Sequence, residues 1–186
     1  MKEILSQVGE KALDEALQSG AEAEVFLMQA KELEIEVVKG QVETLKQAEE
    51  IGLGIRVLKQ GRTGFAFSSD LSPVAVKQAV EDAIKISFLA APDEYQVLPP
   101  KAEYPVLNLY DQATVDMSIE EKIEIARSVE HSALSVDRRI SIIERAGYAD
   151  VEYCNLIMNS KGLYAYETGN YCGIYIFLVA EDENDA

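Results

Sequence analysis

The sequence predicts an α+β fold made of two similar units, each a helix followed by an antiparallel β-meander, with helices covering the sheets. Three observations support this prediction. Helical periodicity opens both halves of the chain, alternating apolar residues joined by short glycine turns follow each helix, and the order of elements recurs. The recurrence predicts an internal duplication.

The first unit is predicted to span residues 1–91. Its opening helix, residues 2–19, has apolar residues on one half of the helical wheel, and Gly20 ends it. Alternating strands follow, with a tight turn at Lys39 and Gly40. The first unit therefore begins as a helix packed on an antiparallel meander.

A long helix and a connector follow the first meander. Ser72 is a suitable N-cap, and Pro73 fits the first helical position, where no amide hydrogen is needed, so we expect a helix to about Ala91. Residues 92–117 hold four of the chain's five prolines. They are predicted to form an extended connector between the two units.

The second unit is predicted to span residues 118–186. Ser118 and Glu121 match a capping box, so a helix should begin here and run to about Ser135. Strands follow, and the last of them, residues 171–180, is an uninterrupted apolar run. Such a run is typical of a strand buried on both faces.

The glycine-rich stretch around residues 52–64 predicts a hairpin. Phosphate-binding loops place their glycines between a strand and a helix N-terminus, whereas Gly61 and Gly64 bracket a turn between two strands. Arg62 lies at the tip of this turn. It is either a contact for a partner or a solvated turn residue.

Net charge excludes one class of partner. The chain has 33 acidic and 17 basic residues, a formal charge of −16, and no large basic cluster. Direct nucleic-acid binding normally needs such a cluster to neutralise phosphates.

The longest apolar run has ten residues, too few to span a membrane as a helix, and the first helix lacks the apolar core of a signal peptide. We expect a cytoplasmic protein without a nucleic-acid or membrane partner.

The residue types that build hydrolytic and metal sites are scarce. His131 is the one histidine and falls on the polar face of its helix, which predicts a solvated side chain. Cys154 and Cys172 lie in separate strands without metal-ligand spacing, and we expect both to be free core thiols. No catalytic, metal-binding or cofactor-binding residue is predicted in this chain.

Tyrosines cluster late in the chain. Tyr164 and Tyr166 lie on one side of a predicted strand, and Tyr171 and Tyr175 lie on one side of the next. Such rows form either a wall for an extended peptide or ordinary cross-strand pairs on a half-buried sheet. Tyr164 and Tyr166, together with Arg62, are the candidate peptide-facing or interface residues.

Several segments resemble a known family. The stretches GAEAEVFL, VVKGQVETLKQAEEIGLGIRVLKQGRTGFAFSSDLSP and DRRI with NSKGLYAYETGNYC are similar to the N-terminal domain of the TldD/PmbA proteins, once called modulators of DNA gyrase. The resemblance covers nearly the whole chain. Its most specific part runs from Gly52 to Pro73, and SSDLSP and DRRI look closer to the PmbA type.

The resemblance implies a cytoplasmic metalloprotease subunit that takes part in hydrolysis of unfolded or small peptides. In that family the TldD-type subunit carries a zinc-binding HExxxH helix, while the PmbA-type partner lacks the motif and pairs with it. No position of this sequence matches HExxxH, so no metal ligand is carried over. Family members are longer, so we expect the second unit to be truncated and the whole to be one N-terminal domain.

Two hypotheses follow. In the first, the chain is the N-terminal domain of a TldD/PmbA-type subunit that walls a substrate cleft and pairs with a TldD-type or identical subunit in a dimer. Zinc would then belong to the HExxxH-bearing subunit. In the alternative, the chain is a peptide-binding or scaffold module unrelated to proteolysis.

Overall fold

The computed structural model describes residues 1–181. The acidic end, 182–186, which the sequence assigns to the second unit, lies outside the described residues. The helices are α1 (Lys2–Gln18), α2 (Pro73–Ser87), α3 (Gln112–Asp116) and α4 (Ile119–Val136). The strands are β1 (Glu22–Val38), β2 (Gln41–Lys59), β3 (Arg62–Ser68), β4 (Ile140–Asn159) and β5 (Tyr164–Ala180).

The strands form one antiparallel sheet in the order β3-β2-β1-β4-β5, so the predicted α+β class is confirmed. The duplication is not confirmed, because strands of both predicted units belong to this one sheet. The sequence pattern predicts separate strands at 23–30 and 32–40, and at 139–146 and 149–159, but each pair is one continuous strand: β1 has 17 residues and β4 has 20. No glycine or proline interrupts β1, so its alternating pattern continues without a turn.

Residues from separate parts of the sequence build two compact units. The first contains residues 1–30, 50–108 and 153–168, and the second contains 31–49, 109–152 and the chain from 169 onward. Because four of the strands are long, each of them contributes residues to both units. Each unit has its own buried cluster of apolar side chains.

The first unit packs α1 and α2 on the sheet. The two helices contact each other, and α2 also contacts β3. The fully buried side chains of this core are Leu5, Ala12, Ala16, Ala23, Val25, Leu27, Ile55, Val57, Ala83 and Leu156. Alternate residues of β1 and β2 supply much of this list, as expected for strands with one covered face.

The glycine-rich stretch folds as a hairpin, as predicted. β2 and β3 pair in antiparallel register from Leu53↔Ser68 to Lys59↔Arg62. The two residues between them, Gln60 and Gly61, both have positive φ, at 54° and 69°. Two successive positive φ angles are typical of the tight turn that matches the twist of paired strands. No helix follows this turn, so it is not a phosphate loop.

Gly64 allows α2 to approach β3 closely. A Cβ at this position would overlap the Ala83 carbonyl oxygen and lie 2.6 Å from the Ser87 backbone nitrogen. Both obstacles are backbone atoms, which cannot rotate away.

We predict that Gly64→Ala lowers the free energy of unfolding by about 2–3 kcal/mol, measured by urea denaturation. Gly52→Ala is the matched control, because its nearest obstacle is 3.5 Å away. Equal effects of the two variants would contradict the predicted close approach.

The predicted connector is largely irregular until α3 begins at Gln112. Its early part is nevertheless fixed to the first unit: the Asp93 amide donates to the Gly61 carbonyl at 2.6 Å, and Asn159 Nδ2 donates to the Pro99 carbonyl at 2.8 Å. Leu98 between them is buried. The helix before it ends at Ser87, earlier than predicted.

The second unit packs α4 on its part of the sheet. The predicted capping box is present, since the Glu121 amide donates to Ser118 Oγ at 3.2 Å and Glu121 Oε2 accepts from the Ser118 amide at 2.8 Å. The buried apolar cluster under this helix consists of Leu33, Ile35, Val37, Ala126 and Tyr148. The short helix α3, which the sequence did not predict, precedes α4.

Candidate functional site: a polar groove in the second unit

The second unit contains a groove of about 570 Å³. It lies among the β1–β2 ribbon, helix α3, the first turns of α4 and the middle of β4. Its charged and polar lining residues are Lys31, Glu32, Gln47, Glu49, Thr114, Lys122, Asp150, Glu152 and Asn170. Its apolar lining residues are Leu33, Ala48, Val115, Met117, Ile119 and Val151.

A buried ion pair forms one wall of the groove. Lys122 Nζ of α4 lies 2.5 Å from Asp150 Oδ2 of β4, and their side chains are 9% and 15% exposed. The same ammonium lies 5.9 Å from the centroid of the Tyr148 ring. Burial, followed by the nearby Asp150 carboxylate, raises the pKa of Tyr148. The ion pair therefore connects helix α4 to strand β4 beside the groove.

Other lining residues are held by hydrogen bonds to the segment before α3. Tyr110 Oη donates to Glu152 Oε1 at 2.8 Å, which raises the pKa of Tyr110. Asn170 bonds the backbone on both sides of Asp111, accepting from the Asp111 amide and donating to its carbonyl. These contacts fix the carboxylate and amide that line the groove. The groove therefore offers fixed donors and acceptors beside apolar side chains, an arrangement that suits binding of an extended chain.

Helix α4 also holds the β1–β2 turn. Lys39 and Gly40 both have positive φ, as in the predicted tight turn, and their amides donate to the two oxygens of the Glu130 carboxylate at 2.6 and 2.7 Å. Arg127 Nε donates to the Gly40 carbonyl at 3.0 Å. A carboxylate and a guanidinium from one helix thus satisfy the turn's backbone groups and fix the ribbon beside the groove.

A second polar cluster lies on β1, β2, β4 and β5 in the same unit. Tyr175 Oη donates to Glu34 Oε1 and Glu36 Oε1, each at 3.2 Å. Glu36 also accepts from Thr44 at 2.9 Å and pairs with Arg145 at 3.2 Å. Burial, followed by the two carboxylates, raises the pKa of Tyr175 to about 12. Tyr175 and Arg145 are more than 100 residues from Glu36 in the sequence, so no local pattern marked these two partners.

The raised pKa of Tyr175 predicts a loss of stability at high pH. An ordinary tyrosine ionises near pH 10, so the neutral hydroxyl stabilises the fold below that pH, and this contribution is lost as the pH rises through about 12. We expect an absorbance titration of tyrosinate to show one step near pH 12 that is absent in Tyr175→Phe. Loss of the same step in Tyr95→Phe, at an 83% exposed tyrosine, would contradict the assignment.

The three candidate interface residues all lie in the first unit and make internal contacts. Arg62 Nη1 donates to the Ala90 carbonyl, which holds the chain after α2. Tyr164 Oη lies 2.9 Å from Ser6 Oγ, and Lys2 Nζ lies 5.8 and 5.1 Å from the ring centroids of Tyr164 and Tyr166. The structure thus brings the two tyrosines together against α1 but does not bring Arg62 to them. A peptide-facing role for these residues stays a prediction.

Two predictions about the last strand are wrong. Cys154 is a buried free thiol as predicted, but Cys172 is exposed. The run 171–180 is not buried on both faces, because β5 is an outer strand of the sheet and Ile174 is 60% exposed. An apolar run has the same composition whether it lies inside a sheet or at its edge, so the sequence alone could not place it.

The residues that the structure describes do not form a catalytic metal site. His131 is exposed on α4, and within residues 1–181 no three His, Cys, Asp or Glu side chains are grouped so that they could hold an ion. Catalytic zinc sites use three such ligands around an open position.

Comparison with known families identifies the chain. The family model described as PmbA/TldA metallopeptidase domain 1 matches residues 23–87, and that of the PmbA/TldA metallopeptidase central domain matches residues 114–186. The chain belongs to the TldD/PmbA metallopeptidase family. The first match runs from the start of β1 to the end of α2, and the second begins within α3 and includes α4, β4 and β5.

Individual relatives agree with this assignment. The Escherichia coli O157:H7 metalloprotease PmbA is 29% identical over 99% of this chain and 41% of its own length. A Haemophilus influenzae PmbA homologue is 31% identical over 90% of this chain and 38% of its own length. This chain therefore spans about two fifths of the length of the curated TldD/PmbA relatives it matches.

A solved structure shows the same fold. A protein from Bacteroides thetaiotaomicron, named for modulation of DNA gyrase, superimposes with a TM-score of 0.85 and is 26% identical. The match covers 97% of this chain and 42% of that protein. In the described part of this chain, no helix has the length and apolar character needed to cross a bilayer.

Proposed function

We propose that this chain is the N-terminal part of a TldD/PmbA-type metalloprotease subunit that takes part in hydrolysis of unfolded or small peptides. In this proposal the chain supplies substrate-cleft and subunit contacts, and the metal site belongs to other residues. The observation that carries the proposal is the match of two successive family domains across most of the chain. The exposed position of His131 agrees with a supporting role.

The polar groove of the second unit is our candidate for the cleft wall. An unfolded substrate presents backbone donors and acceptors whatever its side chains are, and the groove offers the amide of Gln47 for such groups beside apolar side chains. Thr114 and Asn170, which also line the groove, already bond Asp111. The acidic surface, with a net charge of −16, favours neutral or basic peptides over acidic ones. No residue in the groove is assigned a role in bond cleavage.

The same proposal includes the domain boundaries of the chain, its location in the cell and its partner. Residues 1–91 and 118–186, with the connector 92–117 between them, act together as one N-terminal region in the cytoplasm. The proposed partner is a TldD-type subunit or an identical family subunit, and zinc is proposed to lie in the HExxxH-bearing subunit.

A reconstitution assay tests the proposal. The purified chain is incubated with an internally quenched unfolded peptide, alone and together with a TldD-type subunit that carries HExxxH. We expect no cleavage by the chain alone, co-purification of the two proteins, and chelator-sensitive cleavage by the mixture. Chelator-sensitive cleavage by the chain alone would refute the supporting role. Failure to co-purify would favour the scaffold alternative.

A further inference from the structure

Helix α3 lines the polar groove although no hydrophobic core holds it there. Thr114 and Val115 of this helix, and Met117 directly after it, are lining residues of the groove, yet none of the residues Gln112–Asp116 is buried. A helix of five residues has little stability of its own, because nucleation of the first turn is unfavourable and few residues extend it. The position of α3 therefore depends on what fixes its two ends.

Polar contacts of one asparagine fix the N-terminal end of α3. The Asn170 side chain accepts from the Asp111 amide at 2.8 Å and donates to the Asp111 carbonyl at 2.7 Å. The Asn170 backbone amide donates to the Leu109 carbonyl at 3.0 Å. Between these two residues, Tyr110 makes its own hydrogen bond to Glu152. Asn170 therefore holds the chain on both sides of Tyr110.

The residue held in this way is also the N-cap of α3. The Asp111 carboxylate accepts from the Ala113 amide at 3.2 Å and from Thr114 Oγ1 at 2.8 Å. Asn170 is thus connected through Asp111 to the first turn of α3 and to Thr114, which lines the groove. If the Asn170 side chain lost its contacts, the cap and the first turn would lose their attachment to β5.

The C-terminal end of α3 is fixed by α4. Met117 is the one residue between α3 and Ser118, and its backbone is extended, with φ −65° and ψ 129°. Ser118 is the N-cap of α4 and forms the capping box with Glu121. Met117 is therefore the point at which α3 can turn relative to α4.

We propose that Asn170 is a positioning residue that holds α3 as a lid beside the polar groove, so that an extended peptide bound there leaves slowly. This inference rests on the proposed function of the groove as a cleft wall. A bound peptide contacts Thr114 and Val115 only while α3 keeps this position. Opening breaks polar contacts and exposes no buried residue of α3, so it does not require unfolding of the second unit. Lids are typically such segments of low local stability.

Hydrogen exchange and peptide release, measured on the 186-residue chain without a protease partner, test the lid. The probe is a fluorescein-labelled unstructured peptide of serine, leucine and lysine, and stopped-flow anisotropy follows its release. In the wild type we expect the bound peptide to slow exchange of the amides of residues 112–117. Asn170→Ala should speed exchange of these amides, leave those of α4 unchanged and raise the release rate constant about tenfold, because two hydrogen bonds are lost. The association rate constant should change less than the release rate constant.

Two further variants accompany this measurement. Asn108→Ala is the matched control, because Asn108 is exposed and lies just before the held segment, and it should leave release and exchange unchanged. Tyr110→Phe removes the hydroxyl that donates to Glu152 and keeps the ring, so it should raise the release rate constant by a smaller factor. Tyr110→Phe serves as the test variant if circular dichroism shows that Asn170→Ala does not fold.

Four results would overturn the lid. They are a wild-type chain that binds no peptide, bound peptide that leaves exchange of residues 112–117 unchanged, release that neither Asn170→Ala nor Tyr110→Phe alters, and an equal effect of Asn108→Ala. Because no cleavage is measured, the outcome is separate from that of the reconstitution assay. A lid that behaves as expected in a chain that fails reconstitution would refute the proposed function alone.

Discussion

Replacement of Asp150 by alanine is expected to lower the free energy of unfolding by about 3–5 kcal/mol. The substitution leaves the Lys122 ammonium, whose side chain is 9% exposed, without the carboxylate that lies 2.5 Å away. An unpaired charge in such surroundings is much less stable than the same charge in water. Urea denaturation followed by circular dichroism measures the loss.

Two further variants show whether the loss of stability comes from breaking a buried ion pair in particular and from leaving one charge unpaired. Asp82→Ala breaks an ion pair on α2 whose side chains are 66% and 45% exposed, and it should leave the denaturation midpoint nearly unchanged. The double variant Lys122→Met with Asp150→Leu removes both charges and keeps apolar volume, so it should recover most of the lost stability. If Asp150→Ala cost no more than Asp82→Ala, the pair would not anchor α4.

Replacement of Glu130 by alanine is expected to cost about 2–4 kcal/mol. Its carboxylate is 6% exposed and accepts from the amides of Lys39 and Gly40, which lose their acceptors in the variant. Hydrogen exchange provides a local measurement, because both amides should lose protection before the rest of the sheet.

A control on the same helix distinguishes loss of the hydrogen bonds to the β1–β2 turn from loss of any carboxylate on α4. Glu124→Ala removes a carboxylate that is 68% exposed and paired with Arg127, and it should cost less than about 1 kcal/mol. Unchanged protection of the Lys39 and Gly40 amides in Glu130→Ala would show that α4 does not hold the turn.

The sequence predicted the features that depend on neighbouring residues. The capping box at Ser118 and Glu121 and the turns at Lys39–Gly40 and Gly61 are set by residues within a few positions of each other. Helices α1, α2 and α4 and the hairpins followed from these signals and from apolar periodicity. The same local reading divided β1 and β4 into shorter strands, because it could not show that pairing continues along each strand.

The candidate site depends on residues that are far apart in sequence. Lys122 and Asp150 are 28 positions apart, and Tyr175 is 139 positions from Glu36. Neither pair carries a local signal, so sequence analysis named neither. The edge position of β5 was missed for a related reason, since it depends on which strands are present to pair with it.

We propose that this chain takes part in peptide hydrolysis without holding the metal itself. Metal analysis of the purified chain, after equilibration with zinc and dialysis, tests this most directly. We predict far less than one zinc per chain and no change on His131→Ala. One tightly bound zinc per chain, lost in His131→Ala, would contradict the account.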